Sequence, residues 1–97
     1  MTDFRDVAAE NRFEQGFTDP DGQLRRVWAE YGMRGDDRVI LHVEADDELR
    51  GTGAAGAFMK RLTEHARAER FKMIPQCSYA VAWHRRHPDT ADVVAEW

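Results

Sequence analysis

The segment of residues 49–56, with the sequence LRGTGAAG, has the composition best suited to holding a ligand. Three glycines and two alanines among its eight residues leave few side-chain atoms to shield the backbone. If a helix begins at the end of this segment, several unpaired N–H groups point toward one place, where a phosphate can bind. The segment therefore predicts a phosphate-binding loop, and a glycine-rich turn that only starts a helix is the alternative.

Two familiar phosphate motifs do not fit the surrounding sequence. Residues 51–56 match the G-x-G-x-x-G pattern of dinucleotide-binding folds, but such a fold needs an acidic residue at the end of the next strand to hold the ribose. Here the next predicted strand ends in Ile74-Pro75-Gln76-Cys77, which contains no acid. A P-loop needs Gly-Lys followed by Ser or Thr, and the sequence has no such tripeptide. Both motifs are therefore disfavoured.

The composition indicates one small globular domain and limits its partners. The chain has 97 residues, of which 42% are hydrophobic and 33% charged, so it can bury one modest core. Its formal net charge of −4 creates no field that attracts nucleic acids or anionic membranes, and we expect neither as a partner. The lack of a long apolar run and of a basic leader, together with a single cysteine, Cys77, predicts a cytoplasmic protein.

The first half of the chain predicts an antiparallel meander whose last strand ends just before the loop. Residues 1–11 have no usable period and are expected to form a loosely attached arm. The predicted strands cover residues 12–17, 24–33 and 39–44, with turns at 19–22 and 35–37. Gly16 suggests a bulge in the first strand. In the third, strict alternation puts Val39, Leu41 and Val43 on one face and Ile40, His42 and Glu44 on the other.

The second half predicts a helix, a strand parallel to the previous one and a further helix. An apolar stripe predicts a helix over residues 54–69, formed by Ala55, Phe58, Met59, Leu62 and Ala66. A strand over 71–75, a helix over 79–86 and a last turn within 91–97 follow. Strands on both sides of one helix imply a crossover and a parallel pair, so the fold class is α+β. Because Pro75 lacks an N–H, that pairing should stop there and leave a gap beside Cys77.

The same loop also fits the pattern R/Q-x-x-G-x-G/A, with Arg50, Gly53 and Ala55 at the fixed places. Between a strand and a helix after a meander, this pattern resembles the pyrophosphate-binding motif of the GNAT acyl-CoA N-acyltransferases. Further segments are similar to a small, single-domain GNAT-like subfamily: Arg12-Phe13-Glu14, His42-Val43-Glu44, Pro75-x-Cys77-x-Tyr79-Ala80-Val81-Ala82-Trp83 and His87-Pro88. Ser78 and Asp89-Thr90 depart from the residues common there. The resemblance covers roughly residues 7–94 and implies one compact GNAT-like domain over residues 1–97.

The resemblance implies an acyl-CoA, most simply acetyl-CoA, as cosubstrate and an unidentified amine as acceptor. The residues that would hold its pyrophosphate are Arg50, Gly51, Thr52, Gly53, Ala54 and Ala55. Its pantetheine arm would lie along residues 39–44, beside Val43. GNAT enzymes usually carry N-terminal helices that build the acceptor wall, and only about eleven residues precede the first predicted strand. A monomer with an open cleft, a homodimer, and a non-catalytic acyl-CoA-binding module are therefore all open.

Within this resemblance, four side chains are candidates for the chemistry of acyl transfer. His42 and Glu44 share a predicted sheet face before the loop, and either could remove a proton from the amine. Cys77 could carry the acyl group, form a mixed disulfide with CoA, or simply pack as a small thiol. Tyr79 could protonate the leaving thiolate. The alternative for His42 and Glu44 is an ordinary solvated sheet face.

A metal site is disfavoured. Cys77, His84 and His87 are the residues that could suggest one, but three ligands at these spacings make an incomplete set. Histidines near the end of a helix more often cap it or lie at the surface. We therefore expect no metal.

Overall fold

A computed structural model describes residues 4–95 and contains one sheet of five strands in the order β1-β2-β3-β4-β5. The strands are β1 (Arg5–Val7), β2 (Arg12–Thr18), β3 (Leu24–Arg34), β4 (Asp37–Ala45) and β5 (Met73–Pro75). The α-helices are α1 (Ala54–Glu69) and α2 (Ser78–Arg86), and short 3₁₀ helices cover Ala8–Glu10, Asp47–Leu49 and Pro88–Val93. The α+β prediction is confirmed.

Residues 4–11 are attached to the sheet, so the prediction of a loose arm was wrong for this segment; residues 1–3 of the predicted arm lie outside the described residues. β1 pairs antiparallel with β2, and the Arg5 guanidinium lies 2.6 Å from the Glu14 carboxylate. The Tyr31 hydroxyl donates a 2.7 Å hydrogen bond to Asp6, and the Phe4 ring stacks on Phe13 with centroids 5.7 Å apart. Because these contacts join residues far apart in the chain, no local periodicity of hydrophobic residues predicts the strand.

β2 and β3 form the predicted hairpin around a tight turn. Asp19 accepts hydrogen bonds from the backbone N–H groups of Asp21 and Gln23 at 2.8 and 2.9 Å, and Gly22 supplies a φ of +83°. Gly16 pairs with Arg26 in unbroken register. The predicted bulge at Gly16 is therefore wrong.

The bulge lies in β4, where Leu41 is an extra residue. Glu30 of β3 pairs with His42, whereas the next residue, Tyr31, pairs with Ile40. Because paired residues share a face, Ile40 and Val43 both turn to the core while His42 and Glu44 turn away. The predicted alternation of Val39, Leu41 and Val43 against Ile40 was wrong, since the bulge resets the alternation, and the Leu41 side chain is half exposed.

α1 crosses over the sheet between two parallel strands, as predicted. Its buried stripe is formed by Ala54, Phe58, Met59, Leu62, Thr63 and Ala66, so Ala54 takes the place expected for Ala55. The helix ends at Glu69, and the following residue, Arg70, has a φ of +61° that reverses the chain. Arg67 in its last turn donates to both carboxylate oxygens of Asp92 at 2.9 Å, which fixes the C-terminal 3₁₀ helix against α1.

The pairing of β4 with β5 stops where Pro75 was expected to stop it. The last pair is Ile40 with Pro75, and the N–H groups of Gln76 and Cys77 both donate to the Ile40 carbonyl, at 3.0 and 3.3 Å. α2 begins directly after Cys77. Val94 makes a bridge to Met73 on the other edge of β5, and positions 96 and 97 of the expected last turn lie outside the described residues.

Candidate functional site

The glycine-rich loop brings the start of α1 to the end of β4. Leu49, which is buried, anchors it, and the Leu49 carbonyl accepts from the Thr52 backbone N–H at 3.1 Å and the Thr52 hydroxyl at 2.6 Å. The Thr52 oxygen in turn accepts from Ala54 N–H at 3.2 Å. Gly51 and Gly53 have φ values of +78° and +82°, which only glycine adopts at little cost. The loop is therefore a turn with a defined conformation, held by its own hydrogen bonds.

The N-terminus of α1 presents several unpaired donors. Gly53 is the N-cap and offers no side chain, and the first helical hydrogen bond runs from Ala57 N–H to the Gly53 carbonyl. Within residues 4–95, the N–H groups of Gly51, Gly53, Ala55 and Gly56 have no protein acceptor. A helix N-terminus also carries partial positive charge. This end of α1 is therefore suited to an anion.

The charged side chains around the loop give no net positive charge, because there are two carboxylates for one guanidinium. Asp46 and Asp47 lie beside it, and Arg50 pairs with Asp47 at 3.7 Å with both side chains largely exposed. An exposed pair of this kind contributes little to stability. Attraction for an anion here therefore comes from the oriented backbone N–H groups and the helix end, not from a cluster of cations.

Two neighbouring cavities open at the loop. The smaller, of about 320 Å³, is bordered by residues 45–47, 49–51 and 53–56 and by Tyr79. The larger, of about 580 Å³, is bordered by the outer face of α1 together with Trp83, His87, Asp89 and Thr90. Gly53 and Gly56 border both cavities, so their unpaired N–H groups lie at the junction, whereas Gly51 and Ala55 border only the smaller cavity. We refer to them below as the loop cavity and the helix cavity.

Cys77 and Tyr79 lie where β4 and β5 separate. Cys77 is the N-cap of α2, and its Sγ accepts a hydrogen bond from Ala80 N–H at 3.3 Å. The Tyr79 side chain is half buried, and burial raises the pKa of its phenol, an effect that the nearby Arg86 opposes. Beyond Ile40, the edge of β4 has no strand beside it within the described residues. The end of β4–β5 pairing therefore lies where it was predicted, and within the described residues β4 lacks a neighbouring strand on this side from Leu41 onward rather than from Val39.

His42 and Glu44 lie together on the sheet face opposite the core. The His42 Nε2 atom is 3.3 Å from Glu44 Oε1, and their side chains are 50% and 54% exposed. Neither residue borders the loop cavity or the helix cavity. Val43, between them, is half buried and packs against the hydrophobic core. The structure thus brings residues 50, 51, 53–55 and Tyr79 around one cavity and keeps His42 and Glu44 on an open face nearby.

The helix cavity was missed from the sequence. Gly53, Gly56, Lys60, Glu64 and Arg67 border it, and they recur every three or four residues along α1. In the sequence, this stripe of small and charged residues beside the apolar stripe of α1 was the only pattern that could have indicated the cavity. Trp83 and His87 meet it from α2, with ring centroids 4.0 Å apart. Their approach depends on tertiary packing and could not be seen in the sequence.

Two absences hold for the described part of the chain. Between residues 4 and 95, no three His, Cys, Asp or Glu side chains are grouped so as to hold a metal ion. None of the helices in that range is both long and apolar enough to cross a membrane.

Comparison with known proteins decides the family. Residues 15–93 match the family model described as GCN5-related N-acetyl-transferase. The chain belongs to this GNAT family. The search of curated proteins gave no match. Among solved structures, this GNAT chain is similar to the solution structure of a GCN5-like candidate N-acetyltransferase from Staphylococcus aureus, with 27% identity, a TM-score of 0.67, and coverage of 98% of this chain and 89% of the other. Domains of the GNAT family use an acyl-CoA as acyl donor.

Proposed function

We propose that this GNAT chain binds acetyl-CoA, or a similar acyl-CoA, and transfers the acyl group to a primary amine. The observation that supports this most is the set of unpaired N–H groups of Gly51, Gly53, Ala55 and Gly56, next to the point where β4 and β5 separate. A pyrophosphate needs several converging donors, and a narrow acyl-pantetheine arm needs a slot beside them.

The two cavities suggest how the ligand lies. With the pyrophosphate at the junction formed by Gly53 and Gly56, the nucleotide end extends into the helix cavity, where Lys60 supplies a cation for a phosphate. The arm then runs through the loop cavity past Tyr79 toward the open edge of β4. Because β5 already occupies the edge of Val39 and Ile40, the arm follows residues 41–45 rather than 39–44.

Acyl transfer joins the amine nitrogen to the thioester carbonyl carbon, breaks the bond from that carbon to sulfur, and moves one proton from the amine to the thiolate. A primary amine is mostly protonated near neutral pH, so a base must first remove one proton from the ammonium and release it to water, which leaves the neutral amine that attacks. Glu44, hydrogen-bonded to His42, is the base in this proposal, and exposure lets it reach the amine through water. Tyr79, whose raised pKa keeps its phenol protonated, donates its proton to the thiolate and regains one from the attacking amine nitrogen.

Cys77 offers a second route, in which its sulfur takes the acyl group before the amine does. Its position at the N-terminus of α2 places Sγ where a negative charge is favoured. We propose direct attack by the amine, because the route through Cys77 adds a second acyl transfer.

Ligand binding is tested first by thermal unfolding with acetyl-CoA. At about 100 times the Kd, a ligand that binds only the folded state stabilises it by about 2.7 kcal/mol, which raises the Tm by about 10 °C or more in a domain of this size. No Tm shift at millimolar acetyl-CoA would contradict the proposal. Binding without thiol release in the presence of a library of primary amines would favour a non-catalytic acyl-CoA-binding module.

The catalytic roles are tested by amine-dependent release of CoA thiol. E44Q should lower kcat by about 10²-fold or more and H42A by less, since loss of a general base typically costs 10²–10⁴-fold. E30Q is the matched control, because Glu30 lies on the same face and pairs with His42 across β3 and β4. Equal activity of E44Q and E30Q would exclude Glu44 as the base. C77S should retain turnover, and complete loss in a folded C77S protein would favour the covalent route.

A further inference from the structure

Trp83 of α2 carries an unused hydrogen-bond donor. The side chain is buried, with 5% of the residue exposed. Within residues 4–95 the Trp83 carbonyl accepts a hydrogen bond, but the indole Nε1–H has no acceptor. Nε1 also keeps some accessible surface, unlike the fully enclosed and unpaired Nε2 of His84. Because an indole N–H can only donate and usually finds an acceptor when the ring is buried, this donor is available to a ligand.

The position of Nε1 is fixed relative to the first turn of α1. A Cβ built on Gly56 would lie 3.7 Å from Trp83 Nε1. Gly56 borders both the loop cavity and the helix cavity, and its own N–H is one of the unpaired backbone donors there. The indole N–H therefore lies at the junction of the two cavities and approaches it from α2, whereas the backbone donors approach from α1.

The fold itself does not require glycine at position 56. Gly56 lies inside α1, its φ is not positive, and alanine is favoured over glycine in a helix. A methyl group there would contact the indole at an ordinary van der Waals distance, so it would also fit. The missing methyl leaves open the space between α1 and Trp83 Nε1. A glycine that the fold does not need, opposite a donor that the fold does not use, indicates that a ligand occupies this space.

We propose that Trp83 Nε1–H binds the pyrophosphate of the acyl-CoA, on the side opposite the N–H groups of Gly53 and Gly56. This inference rests on the proposed function and adds a side chain of α2 to the phosphate site. Besides His87, the titratable side chains that border the helix cavity are two cations and two carboxylates: Lys60, Arg67, Glu64 and Asp89. With no net charge from these four, neutral N–H donors carry much of the attraction for the anion.

The indole signals in a ¹H–¹⁵N NMR spectrum test the contact directly. The chain has three tryptophans, and W83F identifies the signal of Trp83. Titration with CoA should move this indole proton downfield, with saturation at the concentrations at which CoA binds. Pantetheine, which has the same arm but no phosphate, should leave the Trp83 signal in place.

Binding measurements give the energetic counterpart. W83F keeps an aromatic ring and loses the donor, so the Kd for CoA should rise at least about 10-fold, as for loss of a hydrogen bond to a charged acceptor. W28F is the matched control, because Trp28 borders neither cavity. Its Kd should stay within about 3-fold of the wild type.

A second variant covers the donor without changing the core. G56A should leave the Tm unchanged or raise it, weaken CoA binding, and reduce the shift that CoA causes in the Trp83 indole signal. G32A is its control: Gly32 also has no positive φ, a Cβ there would lie 3.8 Å from a side-chain atom of Leu41, and the residue borders neither cavity. If W83F does not fold, G56A and the wild-type spectrum decide.

The outcomes separate this inference from the proposed function. If CoA binds the wild type but the Trp83 indole signal does not move, or moves equally with pantetheine, the role of Trp83 is overturned and the acyl-CoA proposal stands. The same holds if the Kd of folded W83F, or of G56A, stays within about 3-fold of the wild type. If millimolar CoA does not bind the wild type, both are overturned.

Discussion

Replacing Gly53 with valine should separate the anion-binding role of the loop from its contribution to folding. The residue borders both cavities, and a Cβ built on it meets no protein atom within 4 Å. The new side chain would therefore project into the space proposed for the pyrophosphate. It would also have to adopt a φ of +82°, which is strained for any residue with a Cβ.

The substitution should lower both the stability of the fold and the affinity for CoA, and the two losses can be measured separately. A left-handed conformation costs an L-residue about 1–2 kcal/mol, which lowers the Tm of a domain of this length by about 4–16 °C. Covering N–H groups that bind a charged phosphate removes at least one charge-assisted hydrogen bond, worth about 1.5–3 kcal/mol. The Kd for CoA should therefore rise by about 10- to 150-fold.

Gly22→Val is the matched control. Gly22 has a φ of +83°, and a Cβ added there also meets no atom within 4 Å, but the residue lies in the turn between β2 and β3 and borders neither cavity. The Tm should fall by similar amounts in G22V and G53V, and only G53V should bind CoA more weakly than the wild type. Calorimetric titration with CoA at 25 °C, after circular dichroism has shown both variants to be folded, makes the comparison. A Kd for G53V within about 3-fold of the wild type, or an equal loss in G22V, would refute the proposed phosphate site.

Two further predictions concern charge. Asp47→Asn should tighten CoA binding about 2- to 3-fold at 0.15 M salt and less at 0.5 M, because Asp47 borders the loop cavity and repels a pyrophosphate. The control is E48Q, because Glu48 is the next residue and lies outside the cavity. Unchanged or weaker CoA binding by D47N would contradict the prediction. Burial lowers the pKa of His65 below its usual 6.5, so the unfolded chain binds protons more readily and stability falls as pH decreases through that value. The urea midpoint should drop between pH 7.5 and 5.5, and this drop should be smaller in H65F; an equal drop in H65F would rule out His65 as a source.

Local sequence patterns were sufficient to predict the two α-helices. Residues 54–69 were predicted as a helix and form one over the same range, because the apolar stripe and the glycines before it act within the helix itself. The loop was recognisable for the same reason. Pro75 correctly predicted the end of β4–β5 pairing, since a missing N–H stops a ladder whatever surrounds it.

Features that depend on distant partners could not be predicted. β1 is only three residues long, and Asp6 is held by Tyr31, 25 positions away. Leu41 is apolar within an apolar run, so nothing local distinguishes it from a core residue; the bulge is seen only in the pairing of β4 with β3. The helix cavity likewise needs Trp83 and His87 to pack beside the charged face of α1.

The bulge also bears on how this sheet tolerates insertion and deletion. Losing one residue from a regular strand inverts every side chain after it. In β4, removal of Leu41 alone would join Ile40 to His42 in ordinary alternation, with Ile40 and Val43 still on the core side and Glu44 still outside. What such a shortened strand would lose is the local bend and added twist that accompany a bulge. Leu41 therefore contributes to the path of the backbone rather than to the core, which can be built without its side chain.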